Sequence, residues 1–232
     1  MRILDNMKGK LIVSCQALED EPLHDAYIMS KMALAAKQGG AAGIRANTIK
    51  DIQAIKHEVD LPIIGIIKND HPDYNVFITP TMTEVDALYQ EGVDIIAFDA
   101  TSQKRPSGND VASFVADIKA NYPDQLLMAD ISTAEEGLNA ERIGVDLVAS
   151  TLAGYTPYSS DVQPMQLVKE LTEQLSIPVI AEGNFDTPEK AQGAIKAGAH
   201  AVVVGSAITR PQIITKQFND AVENVNRREV IE

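Results

Sequence analysis

Eight short apolar runs alternate along this chain with amphipathic stretches, and no other feature restricts the fold as much. The runs are LIVSCQA from Leu11, AGIRAN from Ala42, PIIGIIKN from Pro62 and DIIAFDAT from Asp94. They continue as LLMADIST from Leu126, LVASTLAG from Leu147, PVIAEGN from Pro178 and AVVVGSA from Ala201. Each is continuously apolar rather than alternating, as strands buried on both faces are. The stretches between them carry helix signals. DAYIMSKMALAAKQGG closes on a glycine pair, and TMTEVDALYQEGVD opens at Thr81 or Thr83 and stops at Gly92. TPEKAQGAIKAGAH offers Thr187 as N-cap, Pro188 in the first helical position and Glu189 in the first turn. A weak internal repeat, QEGVDII, RIGVDLV and KAGAHAVVV, marks a recurring turn from helix to strand.

Eight βα units in 232 residues predict an α/β chain folded as a single (β/α)8 TIM barrel spanning residues 1–232. A doubly wound open sheet is the rival. It rarely uses eight evenly spaced units, and no GxGxxG follows the first run. No linker or low-complexity segment divides the chain. The longest irregular segment, DHPDYNVFITPT, reads as a lid or active-site loop. The terminal NRREVIE is expected to fray.

Composition narrows the function classes. The formal charge of −13 opposes nucleic acid and anionic membrane surfaces at long range. No apolar run approaches the roughly 20 residues of a membrane span. MRILDNMKGK is too polar for a signal peptide, and Cys15 has no second cysteine to pair with. A cytoplasmic protein is expected, with Cys15 an inert core thiol. A homodimer is the expectation for assembly, although no residue pattern carries it.

Barrel chemistry sits at the C-terminal ends of the strands. Those ends offer Gln16; Arg45 and Asn47; Lys68 and Asn69; Asp99 and Thr101; Asp130 and Ser132; Ser150 and Thr151; Glu182 and Asn184. Strand parity puts Lys68 on the face of Ile64 and Ile66, and Glu182 on the face of Ile180. AEGNFDTPE and VVVGSAITRP have the form of a phosphate cup. Gly183 and Gly205 allow close backbone approach, while Asn184, Ser206 and Ala207 aim N–H groups. A short helix after the eighth strand is expected there, with Arg210 adding a full charge. Lys68 and Glu182 are the proton-moving candidates. His24, His57, His71 and His200 are scattered without metal-ligand spacing, so no metal is expected. His71 reads as a solvated loop residue. From the residues alone, proton transfer beside a carbonyl, Schiff-base chemistry at Lys68, aldose–ketose isomerisation and phosphosugar sensing without catalysis all remain open.

KGKLIVSCQALEDEPLH, GGAAGIRANT, PIIGIIKND, DIIAFDAT, MADIST and IAEGNFDTPEKA followed by GAHAVVVGSAITRP resemble the bacterial N-acetylmannosamine-6-phosphate 2-epimerases. The resemblance covers nearly the whole chain in order; VSCQAL, GIRAN and IIGIIK are its specific motifs, whereas many phosphate-binding barrels share the glycine turns. It implies a (β/α)8 isomerase, N-acylglucosamine-6-phosphate 2-epimerase, that converts N-acetylmannosamine 6-phosphate to N-acetylglucosamine 6-phosphate in sialic acid and amino sugar catabolism. No redox cofactor or required metal is implied. It also implies catalytic roles for Lys68 and Glu182, substrate binding by Gln16, Arg45 and Asp130, and phosphate binding by Gly183, Asn184, Gly205, Ser206 and Arg210.

Overall fold

The structure is a computed structural model that describes residues 2–229. Its eight strands are β1 (Lys10–Cys15), β2 (Gly43–Asn47), β3 (Ile63–Ile66), β4 (Ile95–Asp99), β5 (Leu126–Asp130), β6 (Leu147–Ala149), β7 (Val179–Ala181) and β8 (Ala201–Val204). They pair in parallel and in chain order, and β1 closes the ring on β8 with Ile12 opposite Val203. The chain is therefore a closed (β/α)8 barrel, as the eightfold alternation predicts.

Two separate cores follow from strand parity. One alternate set of side chains fills the barrel: Ile12, Ile64, Ile66, Ile95, Met128 and Ile180 lie there, closed off by Met7 of the short helix α1 (Arg2–Met7). The other set, including Val13, Ile44, Phe98 and Val202, packs outward against the helices. Lys68 and Glu182 continue the inward set one or two residues beyond their strands, so they face the mouth rather than the helical shell.

The helices between strands begin where capping chemistry dictates. Asp25 caps α2 (Ala26–Gln38), accepting from the N–H groups of Tyr27 and Ile28. Thr81 rather than Thr83 caps α4 (Met82–Glu91) and forms a capping box with Glu84. Thr187 caps α8 (Pro188–Lys196) with Pro188 in its first turn. A four-residue helix, α9 (Ser206–Thr209), follows β8, and α10 (Pro211–Glu229) comes after it. The expected fraying of NRREVIE lies partly outside the described residues: the backbone continues as helix to Glu229, and 230–232 are not described.

The segment expected to be a lid or active-site loop borders the barrel mouth through Asp70, Phe77 and Ile78, and it is more regular than a free lid. The loop after β3 is tied down as a hairpin: Lys68 bridges Ile78 in antiparallel fashion, and Asn69 N–H donates to the Phe77 carbonyl at 2.9 Å. Thr79 N–H returns to Ile67 at 2.8 Å, and Ile78 is buried in the barrel core. An apolar Ile78 buried beside the strand ends gives this segment a fixed seat that its polar first half conceals.

Close packing at β3 holds the Lys68 backbone in place. A Cβ at Gly65 would lie 2.8 Å from Val93 Cγ1 and 2.9 Å from Leu88 Cδ2, where β3 packs on α4 and the turn that follows it. Gly65→Ala is expected to destabilise the fold by about 1–3 kcal/mol through overpacking. Urea unfolding of the two proteins measures this, and equal midpoints would contradict the tight β3–α4 contact.

Candidate active site at the barrel mouth

The C-terminal mouth of the barrel opens into a cavity of about 760 Å³. Gln16, Arg45, Lys68, Glu182, Gly183, Asn184, Gly205, Ser206 and Arg210 all line it. The sequence-predicted residues are thus gathered in one place, apart from Asp130. That aspartate is fully buried and does not line the cavity. His71 does not line it either.

Asp130 sits behind Arg45. Arg45 Nη1 and Nη2 donate to Asp130 Oδ1 and Oδ2 at 2.9 and 2.6 Å, a bidentate pair, and Nη1 also donates to Glu182 Oε2 at 2.6 Å. Thr151 Oγ1 donates to Asp130 Oδ1 at 2.6 Å. Arg45 is 1% exposed, so these charges lie almost without water and depend on one another. Ser150 fixes the Glu182 backbone from both sides: Glu182 N–H donates to Ser150 Oγ at 3.1 Å, and that hydroxyl donates to the Glu182 carbonyl at 2.8 Å.

The electrostatics push the two proton-moving candidates toward each other. Burial raises the Glu182 carboxyl to about 7; Arg45 opposes that shift and neighbouring Asp130 adds to it. Burial lowers Lys68 to about 8, with the charges of Arg45 and Arg210 pressing the same way. No hydrogen bond or ion pair among the described residues uses Lys68 Nζ, while its backbone N–H donates to Asn47 Oδ1 at 2.9 Å. A lysine lowered to about 8 and a carboxyl raised to about 7, facing one cavity, can both gain and lose a proton near neutral pH and form an acid–base pair. In the ring, β3 and β7 stand half a turn apart, so the two groups enter from opposite sides. Elsewhere, burial raises the Cys15 thiol to about 12, consistent with an inert core residue.

The glycine turns border the cavity beside Glu182. Gly183 has φ of +95°, and a Cβ there would lie 3.3 Å from the carbonyls of Ser150 and Thr151. Asn184 follows with φ of 59°. Beside them, after the neighbouring strand β8, the first-turn N–H groups of α9, at Ser206 and Ala207, have no partner within the helix. Arg210 Nη1 donates to Ser206 Oγ at 2.9 Å.

The family model NanE, described as "Putative N-acetylmannosamine-6-phosphate epimerase", matches residues 29–224. This chain belongs to the N-acetylmannosamine-6-phosphate epimerase family. A relative in Shouchella clausii, named "Putative N-acetylmannosamine-6-phosphate 2-epimerase", is 56% identical over 225 residues, covering 95% of this chain and 99% of the relative. A Clostridium perfringens relative of the same name is 54% identical over 223 residues, covering 95% and 100%. The structure described as that of the N-acetylmannosamine-6-phosphate 2-epimerase from Clostridium perfringens superposes with a TM-score of 0.90 at 54% identity, covering 94% of this chain and 95% of that one. A thiamine phosphate pyrophosphorylase from Pyrococcus furiosus shares the fold alone, at 19% identity and a TM-score of 0.60.

In this epimerase-family barrel, several cavity residues escaped the sequence reading. Thr151 stood among the strand-end groups, but nothing in the chain indicated that it would brace Asp130 and Arg45. Phe77 and Ile78 reach the cavity only because the hairpin folds back. Ser14, which accepts from Gln16 Nε2 at 2.7 Å, shares the inward parity of Ile12 and could have been found by it.

The lowered Lys68 has a consequence for stability. Below about pH 8 both folded and unfolded chains hold the proton, and the folded chain bears the whole cost of the buried charge. Above that pH the folded state releases its proton first, and the cost fades toward pH 10.5. Lys68→Met is therefore expected to be more stable than the parent by about 1–2 kcal/mol at pH 7, with the gain shrinking above pH 9. Urea unfolding at both pH values reads the difference; a destabilised variant at pH 7 would refute the buried-charge account.

Proposed function

We propose that this chain interconverts N-acetylmannosamine 6-phosphate and N-acetylglucosamine 6-phosphate by moving the proton on carbon 2. Its membership of the family, supported by relatives carrying that name, favours this substrate. The observation that carries the chemistry is the placement of Lys68 and Glu182 on opposite sides of one cavity beside the glycine turns. The reaction belongs to the isomerases and, more finely, is that of an N-acylglucosamine-6-phosphate 2-epimerase. Amino sugar and sialic acid catabolism in the cytoplasm is the setting this reading assigns, with the whole chain acting as one barrel domain.

The phosphate is gripped by the backbone turns at Gly183–Asn184 and Gly205–Ser206 and by Arg210. This leaves the reacting end of the open-chain sugar between Lys68 and Glu182. Neutral Lys68 removes the carbon-2 proton, which the adjacent aldehyde acidifies, and an enolate forms. Arg45 and Gln16 donate hydrogen bonds to the developing oxyanion. Asp130 keeps the Arg45 plane fixed through its bidentate pair. Protonated Glu182 returns a proton to the opposite face and inverts the centre. In the reverse direction the roles exchange, and the same total number of protons sits on the pair.

Two measurements test this reading. In deuterium oxide, Lys68→Ala is expected to lose carbon-2 exchange, followed by NMR, by a factor of at least about 10³. Glu182→Gln is expected to keep exchange in one epimer while interconversion stops; wild-type interconversion in that variant would leave Lys68 as the sole base. The pH profile of kcat/KM for the parent should be bell-shaped with its maximum between 7 and 8. Because Lys68 titrates above Glu182, neutral Lys68 with protonated Glu182 is a minor form of the pair; the acid limb breaks near 7, where Glu182 titrates, and the alkaline limb near 8, where Lys68 does.

We also infer a homodimer. The face of α10 carrying Phe218, Val222 and Val225 is exposed, at 72%, 64% and 58%, which supports its burial against a second copy. Sedimentation velocity should give a dimer for the parent and a monomer for Phe218→Asp/Val222→Asp. A monomeric parent at micromolar concentration overturns the assignment.

A further inference from the structure

Arg210 is not free to choose its direction. Its Nε lies 2.6 Å from Glu21 Oε1, and Nη2 donates to Glu21 Oε2 at 2.9 Å. Glu21 belongs to the loop between β1 and α2, 189 residues away in sequence. The same carboxylate accepts the Leu18 N–H at 2.7 Å and Gln212 Nε2 at 3.1 Å. Leu18, Ser206 and Arg210 line the cavity, whereas Glu21 stands behind them. A guanidinium presents five N–H donors in one rigid plane. Glu21 takes one Nη2 hydrogen and lies in ion-pair contact with Nε, and Ser206 takes one Nη1 hydrogen, which leaves one N–H on each terminal nitrogen for another partner. Two donors in a fixed plane suit a bidentate grip on a phosphate monoester.

We propose that Glu21 is a positioning residue for phosphate recognition: it aims Arg210 into the cavity and binds the β1–α2 loop, with Leu18, to that arginine. This deepens the phosphate reading given above and rests on it. Two effects of opposite sign meet at Glu21. Its negative charge repels an anionic phosphate, so if long-range charge ruled the site, removing it would tighten phosphate binding. Its geometry holds a long, rotamer-rich arginine in one orientation and spares the ligand that ordering cost. The proposal is that geometry dominates. Three hydrogen-bond donors converge on this one carboxylate, from the first βα loop, from Arg210 and from the start of α10, with Arg210 Nε in ion-pair contact beside them, and that convergence is more than incidental surface pairing provides. The arrangement also explains how a chain of net charge −13 selects an anion: recognition rests on aimed donors rather than on an excess of positive charge.

The test uses the full-length protein with Glu21→Ala and Glu21→Gln, each alone and combined with Arg210→Ala. Epimerisation gives KM and kcat for the phosphosugar, and inorganic phosphate serves as competitive inhibitor. Glu21→Ala is expected to raise both KM and the inhibition constant of phosphate about 10-fold, as loss of one charge-assisted contact does. Its kcat should change less than about three-fold, because the lost interaction is uniform binding. Glu21→Gln keeps one acceptor oxygen, which can serve the Leu18 N–H, but lacks the second acceptor and the ion pair, so it should show the KM effect with a smaller change in melting temperature than Glu21→Ala. In the Arg210→Ala background, neither substitution should add to KM. Tighter phosphate binding in either variant, or an undiminished Glu21 effect without Arg210, overturns the proposal. If Arg210→Ala weakens phosphate binding while both Glu21 variants behave as the parent, the phosphate reading stands and this proposal fails. If Arg210→Ala itself leaves KM and phosphate inhibition unchanged, both fail together.

Discussion

The buried guanidinium of Arg45 is the interaction on which the mouth of this barrel depends. Two carboxylates, Asp130 and Glu182, share it. Desolvating such charges is costly, and the attraction between them offsets that cost only while every partner keeps its place. Three charged groups with one excess negative charge cannot all remain ionised comfortably away from water. The strain falls on Glu182, the member next to the cavity, and raises its carboxyl toward neutrality. Asp130, held in a bidentate pair and by Thr151, fixes the arginine instead. The same guanidinium helps press a proton off Lys68. One residue on β2 thereby sets the protonation balance of groups on β3 and β7.

The barrel itself was legible because its strands are buried on both faces. That burial writes continuous apolar runs, and eight of them with capped helices between leave little other architecture. The inward placement of Lys68 and Glu182 was also legible, since parity carries past the end of a strand by a residue or two. The glycine turn after β7 was also readable: at Gly183 the backbone takes a conformation that side chains disfavour, and a side chain would press on two carbonyls.

What the sequence hid was long-range and polar. Asp130 was assigned to substrate contact, yet its neighbour across the barrel, Arg45, occupies both of its oxygens. Nothing local distinguishes an aspartate that meets a ligand from one that meets an arginine 85 residues away. Glu21 lies in a loop of ordinary acidic composition, and its role exists only once β1 and β8 are neighbours. The hairpin after β3 was concealed for a related reason. Its buried apolar anchors, Val76 and Ile78, are too little pattern to announce a strand.

The pairing of β1 with β8 carries a consequence for how the molecule becomes active. The lysine comes from the first third of the chain, whereas the glycine turns and Arg210 come from its last quarter. Glu21, near the start, has no arginine to hold until residue 210 has been synthesised. A growing chain can lay down most of its strands and still possess no complete site. The lining of the mouth is therefore completed with the closing of the ring, and a copy cut short before that seam holds Lys68 without the glycine turns or Arg210 that face it.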